Sequence, residues 1–382
     1  MKNYKMSRYN LIVRQEDGIL IYNTYSGSFG FIEGNNDLND LSRIDKSLFP
    51  ELIDGGCIVE KYFDEFENLK KMYYESKIDN KYLSLTLLVS EDCNFSCPYC
   101  FIYQHRPIKM NDKVYNSVLK LIEKRANLLK HLKIQFFGGE PLLNHDKNIS
   151  FLEKVNKIVR NIYKEYGLVT NGYLLNKKYF LDYFNHNVIF YQLTLDGSKD
   201  FHNKTRFTES DKNTFDRLIN NLEEIKTVKG NFNFVIRINF QSSDDKINEL
   251  LRYLKNKFEK DKRFHLVFRP IVDFKTRKIN TKIDICSEEE GKMRQIEYLL
   301  NFYSKDIVGY DEMIIFLPKR IDTWCESVKT NSYIIGADGL VFKCDVEIGS
   351  EKYALGFLKE NGDIDLKDNI YEKYDPYKEK SV

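Results

Sequence analysis

The chain has 382 residues, an apolar share of 42% and a net charge of +2 from 59 basic and 57 acidic side chains. This length holds two or three domains with their own cores, and the composition excludes a disordered chain and offers no basic footprint for DNA or RNA. The opening MKNYKMSRYN lacks an apolar secretion core, and no apolar run reaches the roughly 18 residues a membrane helix needs. A cytoplasmic protein is expected. In that setting the seven cysteines read as reduced thiols available as ligands rather than as disulfides.

In residues 1–80, NLIVRQEDGILIYNT places two short strands around an Asp17-Gly18 turn, and DEFENLKKMYYESKI has helical character. From 81 to 275 apolar strands alternate with amphipathic helices, the sign of repeated βα units. Six strands begin at Leu83, Leu132, Gly167, Val188, Phe232 and Phe264. Between them, with Asp112 as an N-cap, Val114, Val118, Leu121 and Ile122 recur at helical spacing. Phe215, Leu218, Leu222 and Ile225 repeat that stripe, as do Ile247, Leu250, Leu251 and Leu254. The fold class is therefore α/β, an open parallel sheet or a partial (β/α)6 barrel, with the working loops at the strands' C-terminal ends. Residues 276–382 break the alternation with one helix, SEEEGKMRQIEYLLNFY, and a hairpin, NSYIIGADGLVFKC, that turns at Asp338-Gly339.

Directly after the first strand of the alternation stands CNFSCPYC. Its spacing, C-x3-C-x2-C, suits neither a disulfide framework nor the paired clips of a structural zinc site. Three thiolates on a four-iron cubane leave one iron without a protein ligand, open to substrate or cofactor. Two blander readings stay open. Steps of four and three would also put Cys93, Cys97 and Cys100 on one helix face, although Pro98 opposes a regular helix. Zinc would need a fourth ligand, and His105 is the only nearby candidate.

This motif, with Tyr99 and Phe101 as aromatic neighbours of its last cysteine, resembles that of the radical S-adenosylmethionine enzymes. The resemblance implies that Cys93, Cys97 and Cys100 hold a 4Fe-4S cluster whose open iron is chelated by S-adenosylmethionine. It further implies reductive cleavage to a 5′-deoxyadenosyl radical that takes hydrogen from substrate. FFGGEP then follows strand two: Gly138 and Gly139 would let backbone approach a ligand, and Glu140 would meet the methionyl ammonium. VTNG ends strand three. LTLDGSKDFHNKTR ends strand four and resembles the family's S-L-D-G-x4-H-x3-R signature, with Thr194 in place of serine. Thr194 and Arg206 would contact the ribose and carboxylate, Asp196-Gly197 reads as a turn, and His202 as a surface residue. On strand five, Val235, Arg237 and Asn239 share a face and could touch cofactor or peptide.

Towards the C-terminus, Cys325 and Cys344 in C-x13-G-x4-C resemble the start of a SPASM or twitch domain, which binds auxiliary iron–sulfur clusters. The dense cysteine run of a full SPASM domain is missing before the chain stops. A truncated or naturally short domain is expected, with at most one auxiliary cluster and Cys286 as a possible third ligand. Asp345 matches a catalytic aspartate of sulfatase-maturating relatives but reads more simply as a hairpin-end charge. Cys57 lies outside every motif and reads as core.

The N-terminal region resembles the leader-peptide-recognition segment of peptide maturases, and a small sheet with an exposed edge can accept a peptide as an added strand. The leading expectation is a peptide maturase that forms a thioether or carbon–carbon crosslink, or epimerises a residue, in a ribosomally made precursor. It would be served by an electron donor such as flavodoxin or ferredoxin. A sulfatase-type maturase forming formylglycine is the alternative. From another class, a non-catalytic iron–sulfur or zinc protein would leave Glu140, Thr194 and Arg206 without a purpose.

Overall fold

The computed structural model of the chain describes residues 3–34, 38, 41, 44–102, 105–242, 244, 246–272, 283–302, 320, 321, 323 and 325–367. Two compact units divide it: Met1–Ile78 with Val308–Cys325, and Asp79–Ile307 with Glu326–Val382.

In the first unit, β1 (Tyr4–Met6), β2 (Asn10–Arg14), β3 (Gly18–Asn23) and β4 (Phe29–Glu33) precede α1 (Phe49–Asp54), β5 (Ile58–Glu60) and α2 (Glu65–Lys77). β2, β3 and β4 form an antiparallel sheet in that order, and β1 pairs antiparallel with β5. The Asp17-Gly18 turn lies between β2 and β3 as the sequence suggests, whereas β4, too short and glycine-interrupted to stand out, has no counterpart in the sequence reading. Asp64 caps α2 by accepting from the amides of Phe66 and Glu67. Ile19, Ile21, Ile32, Leu52, Ile58 and Cys57 form this unit's core, so Cys57 is the core thiol expected.

The second unit begins with β6 (Tyr82–Ser90), α3 (Asp112–Arg125), β7 (His131–Gly138), α4 (His145–Ile158), β8 (Tyr163–Thr170) and α5 (Lys177–Phe184). It continues through β9 (Val188–Asp196), α6 (Lys199–Thr205), α7 (Thr214–Lys226), β10 (Asn233–Phe240), α8 (Ile247–Phe258), β11 (Phe264–Pro270) and α9 (Glu288–Phe302). β12 (Ser332–Ile335), β13 (Leu340–Phe342), β14 (Gly356–Leu358) and β15 (Ile364–Leu366) follow. All six expected strands are present and run parallel in chain order from β6 to β11.

The two sheet faces differ in chemistry. Leu85, Ile134, Leu168, Leu193, Ile236 and Leu266 are almost wholly buried in one core with the helical stripes of α3, α7 and α8. Each such side chain contributes about 1.5–3 kcal/mol of burial. The alternate positions, Thr86, Gln135, Gln192, Thr194 and Arg237, are half-buried and line the other face, where register sets Thr86 beside Gln135 and Thr194 beside Arg237. The N-cap of α3 is Asn111, not Asp112, because the Asn111 side chain reaches the Val114 amide.

The C-terminal hairpin does not stand apart. β12 adds in parallel to β6, and β13, β14 and β15 extend the same sheet antiparallel to ten strands. The Asp338-Gly339 turn joins β12 to β13, with Gly339 at φ +89. Its place is fixed by charge: Arg106 bridges Glu91 at 2.7 Å and Asp338 at 2.8 Å, while Glu91 also accepts the Ala337 amide at 3.1 Å. Among the described residues no helix is long and apolar enough to cross a membrane.

Candidate active site

Residues 91–100 leave the end of β6 as an irregular loop, so the three cysteines do not form a helix face. Cys93, Cys97 and Cys100 are thiols outside any disulfide. Their electrostatic environments differ. Burial pushes the Cys93 thiol up to about 12, reinforced by the Glu140 carboxylate and by the other two thiols. Burial likewise takes Cys97 to about 12 against the pull of Arg206. At Cys100 burial is outweighed by a hydrogen bond from His105 and by that ring's charge, and the thiol falls below its ordinary value. His105 therefore does reach the motif, as a partner of Cys100. Yet no three His, Cys, Asp or Glu side chains among the described residues converge on a single ion. Zinc needs its thiolates about 2.3 Å from one centre; a four-iron cube spreads its corner ligands further apart.

FFGGEP packs against this loop. At Gly138, φ +127, a Cβ would lie 2.2 Å from the Ser90 carbonyl oxygen, and at Gly139 one would lie 2.3 Å from the Asp92 oxygen. Glycine thus lets the end of β7 press against the start of the cysteine loop, where the Gly139 amide donates to Ser90 at 2.7 Å and the Glu140 amide to Asp92 at 2.9 Å. Glu140 itself is 0% exposed. Its Oε1 accepts from Leu142 at 3.0 Å and Thr170 at 2.7 Å, and its Oε2 accepts from the Asn171 amide at 2.8 Å. Burial lifts its carboxyl to about 7 despite these donors. These contacts tie β7 to β8 through Glu140.

The strand-four signature builds a buried polar hub. Tyr99, between two of the cysteines, donates to Asp196 Oδ2. The same phenol accepts from Arg206 Nη1 at 3.3 Å and from Asn239 Nδ2 at 3.4 Å. Asp196 also accepts from Thr205 at 2.6 Å and from Asn239 at 3.3 Å. Asp196 is thus the hub's shared acceptor and not merely a turn residue. Arg237 Nε in turn donates to Asn239 Oδ1 at 2.9 Å, as their shared face allows. Arg206 stands 5.6 Å over the Phe95 ring, and its Nε is buried without a hydrogen-bond partner. A buried, unsatisfied guanidinium nitrogen beside the cysteine loop is ready for an anionic ligand group.

His202 is 0% exposed, not on the surface. Its Nδ1 accepts the Asp196 amide at 3.2 Å and its Nε2 donates to Thr214 Oγ1 at 3.2 Å, which makes it a neutral structural ring. Burial pushes its pKa well below the usual value. The unfolded chain takes up this proton below pH ~6.5 while the folded one does not, so the ring's contribution is complete above that pH and is lost as pH falls. Between pH 7 and 5 the unfolding free energy from denaturant titration should fall in the wild type by up to ~1.4 kcal/mol per pH unit more than in His202→Asn. Parallel pH profiles would remove His202 from the acid response.

The remaining candidates scatter. Thr194 is half-buried on the polar face of β9, and Phe101 packs 6.3 Å from Phe137. Cys325 falls in the first unit and Cys344 in the second, and Asp345, which follows Cys344, is exposed. Cys286 lies half-buried against the main core.

Residues 87–254, which carry the cysteine loop, the glycine cradle and the hub, match the Radical SAM superfamily model. The chain carries a radical SAM domain. Radical SAM proteins are enzymes that use a 4Fe-4S cluster and S-adenosylmethionine, and the site fits both: three free thiols on one loop, and a buried arginine nitrogen without a hydrogen-bond partner. The cysteine-type anaerobic sulfatase-maturating enzyme of Clostridium novyi (strain NT) is 27% identical over 305 residues, 72% of this chain and 77% of the relative. Native anSMEcpe, solved with bound AdoMet and a Cp18Cys peptide, is 23% identical with a TM-score of 0.55, covering 77% of this chain and 82% of that one. Streptococcus suis SuiB, solved with its precursor peptide SuiA, is 16% identical with a TM-score of 0.54, covering 97% and 90%. The fold is shared with both.

Proposed function

We propose that this radical SAM enzyme modifies a ribosomally made precursor peptide, forming a thioether or carbon–carbon crosslink or epimerising a residue. The observation that carries the reading is the fold likeness to SuiB, a peptide-bound enzyme, over 97% of the chain, against 77% for anSMEcpe. In this reading Cys93, Cys97 and Cys100 hold the cluster, while Arg206 and Thr194 hold the carboxylate and ribose of S-adenosylmethionine, with Phe101 beside them. When bound, the pair supplies one-electron cleavage of a sulfonium to a hydrogen-abstracting carbon radical. Tyr99 and Asp196 fix Arg206 in place, and the half-buried Gln135, Gln192 and Arg237 on the same sheet face offer a polar wall to a substrate. A flavodoxin or ferredoxin serves as electron donor.

The first unit supplies a place for the peptide. β2 is an edge strand, with Leu11 49%, Ile12 40% and Val13 55% exposed. Register puts Leu20 and Phe31 in one row with Val13, an apolar face beside an open ladder. An extended peptide can add to such an edge through its backbone while its side chains meet that face. Ile12→Pro removes an amide that faces the open edge, because Gln15 and Thr24 bond across the ladder and set the alternate residues outward, and Val13→Lys changes the face alone. Both should weaken binding of a fluorescently labelled precursor peptide about tenfold or more by fluorescence polarisation, with S-adenosylmethionine cleavage unchanged. Unaltered peptide affinity in both would remove the edge from the account.

A second reading, a sulfatase-type maturase, is favoured by the 27% identity to the Clostridium novyi enzyme and by Asp345 after Cys344. Mass spectrometry of candidate substrates after reaction separates the two. A precursor lighter by two hydrogens, or carrying solvent deuterium at a single α-carbon, supports the first reading, and conversion of a sulfatase cysteine to formylglycine supports the second.

A further inference from the structure

We propose that Asn171 is a positioning residue that raises the reduction potential of the cluster by donating a side-chain N–H to Cys93. The inference rests on the reading that Cys93, Cys97 and Cys100 are the cluster ligands.

Asn171 follows the end of β8, and four contacts fix it. Its backbone amide donates to Glu140 Oε2 at 2.8 Å. Its Oδ1 accepts the Tyr173 amide at 3.0 Å, and its Nδ2 donates to Asn94 Oδ1 at 2.7 Å. The same Nδ2 lies 3.8 Å from Cys93 Sγ. The amide orientation follows from this network. Flipped, it would set oxygen against oxygen at Asn94 and nitrogen against nitrogen at Tyr173. The nitrogen therefore faces the sulfur.

Only 6% of the residue is exposed, so water competes little for that donor. Reduction adds negative charge to a cluster, and part of it resides on the thiolate sulfurs. A fixed N–H stabilises the reduced state more than the oxidised one and moves the potential upward. The three proposed ligands receive different support. Cys93 takes the Phe95 amide at 3.4 Å together with Asn171, Cys97 feels the Arg206 charge, and Cys100 is bonded by His105. Asn171 is a side-chain donor to Cys93 that a substitution can remove without touching a ligand.

The experiment is an anaerobic redox titration of the reconstituted full-length enzyme, followed by electron paramagnetic resonance, without S-adenosylmethionine. Wild type is compared with Asn171→Asp, which keeps the acceptor for Tyr173 and loses the donor, and with Asn171→Ala. Both variants should bind as much iron as the wild type and be harder to reduce. At a fixed poise near the wild-type midpoint, a shift of ~59 mV corresponds to a tenfold fall in the ratio of reduced to oxidised cluster. The aspartate should shift further than the alanine, because it adds a charge. Unshifted potentials in iron-replete variants would overturn the inference and leave the ligand assignment standing. Loss of iron from both variants would also overturn it, by making Asn171 a support of the loop. Failure of the wild type itself to assemble a cluster would instead overturn the ligand assignment.

Discussion

Replacing any one of Cys93, Cys97 or Cys100 with alanine is expected to abolish stable cluster assembly, leaving iron near background after anaerobic reconstitution and no S-adenosylmethionine cleavage. Two thiolates cannot hold three corners of the cube. The loop offers little replacement. His105 is already engaged with Cys100. Burial also holds the Cys93 and Cys97 thiols in their protonated form, so ligation there must drive proton release, and an incomplete ligand set lowers that drive. The chain itself should remain folded, because Cys93 and Cys97 only flank the main core. Far-ultraviolet circular dichroism separates cluster loss from unfolding. Wild-type iron content and absorbance in all three variants would contradict the assignment.

The second large effect is expected at the glycine cradle. A Cβ at Gly139 would stand 2.3 Å from the Asp92 oxygen and 2.7 Å from its carbonyl carbon, backbone atoms that cannot move aside as a flexible side chain can. At Gly138 the positive φ of +127 adds strain for any L side chain. Gly138→Ala should lower stability by about 3 kcal/mol, the sum of backbone strain and overpacking. Gly139→Ala should act more selectively, displacing Asp92 and with it Cys93, whose amide donates to Asp92 Oδ1 at 2.9 Å. Reduced iron binding at near-normal thermal stability is the expected signature of Gly139→Ala. Denaturant titration and iron analysis test both, and normal stability with full iron content in each would show that the contact relaxes freely.

Much of the second unit was legible because parallel strands buried under helices read as continuous apolar runs, and Val188–Asp196 and Phe264–Pro270 begin where the sequence places them. The cysteine loop was legible from spacing alone. Tertiary burial was not. Glu140 and His202 carry charge-bearing side chains, and nothing local announces that each is wholly enclosed by partners from other elements. The pairing of β12 with β6 joins residues about 250 positions apart, beyond any local pattern. Tyr99 and Asn171 were visible only as motif letters; their contacts with Asp196 and Cys93 depend on loops brought together by the sheet. Residue 276, where the alternation stops, marks a change of pattern rather than of sheet, because the later strands continue from β6.

The most direct measurement is made on anaerobically reconstituted full-length protein given S-adenosylmethionine and dithionite. Bound iron and 5′-deoxyadenosine are quantified together, in wild type and in Cys97→Ala. The expected result is about four or more irons per wild-type chain, with deoxyadenosine formed over time and both lost in the variant. Stoichiometric zinc in place of iron, or a full iron complement with no deoxyadenosine, would contradict the account.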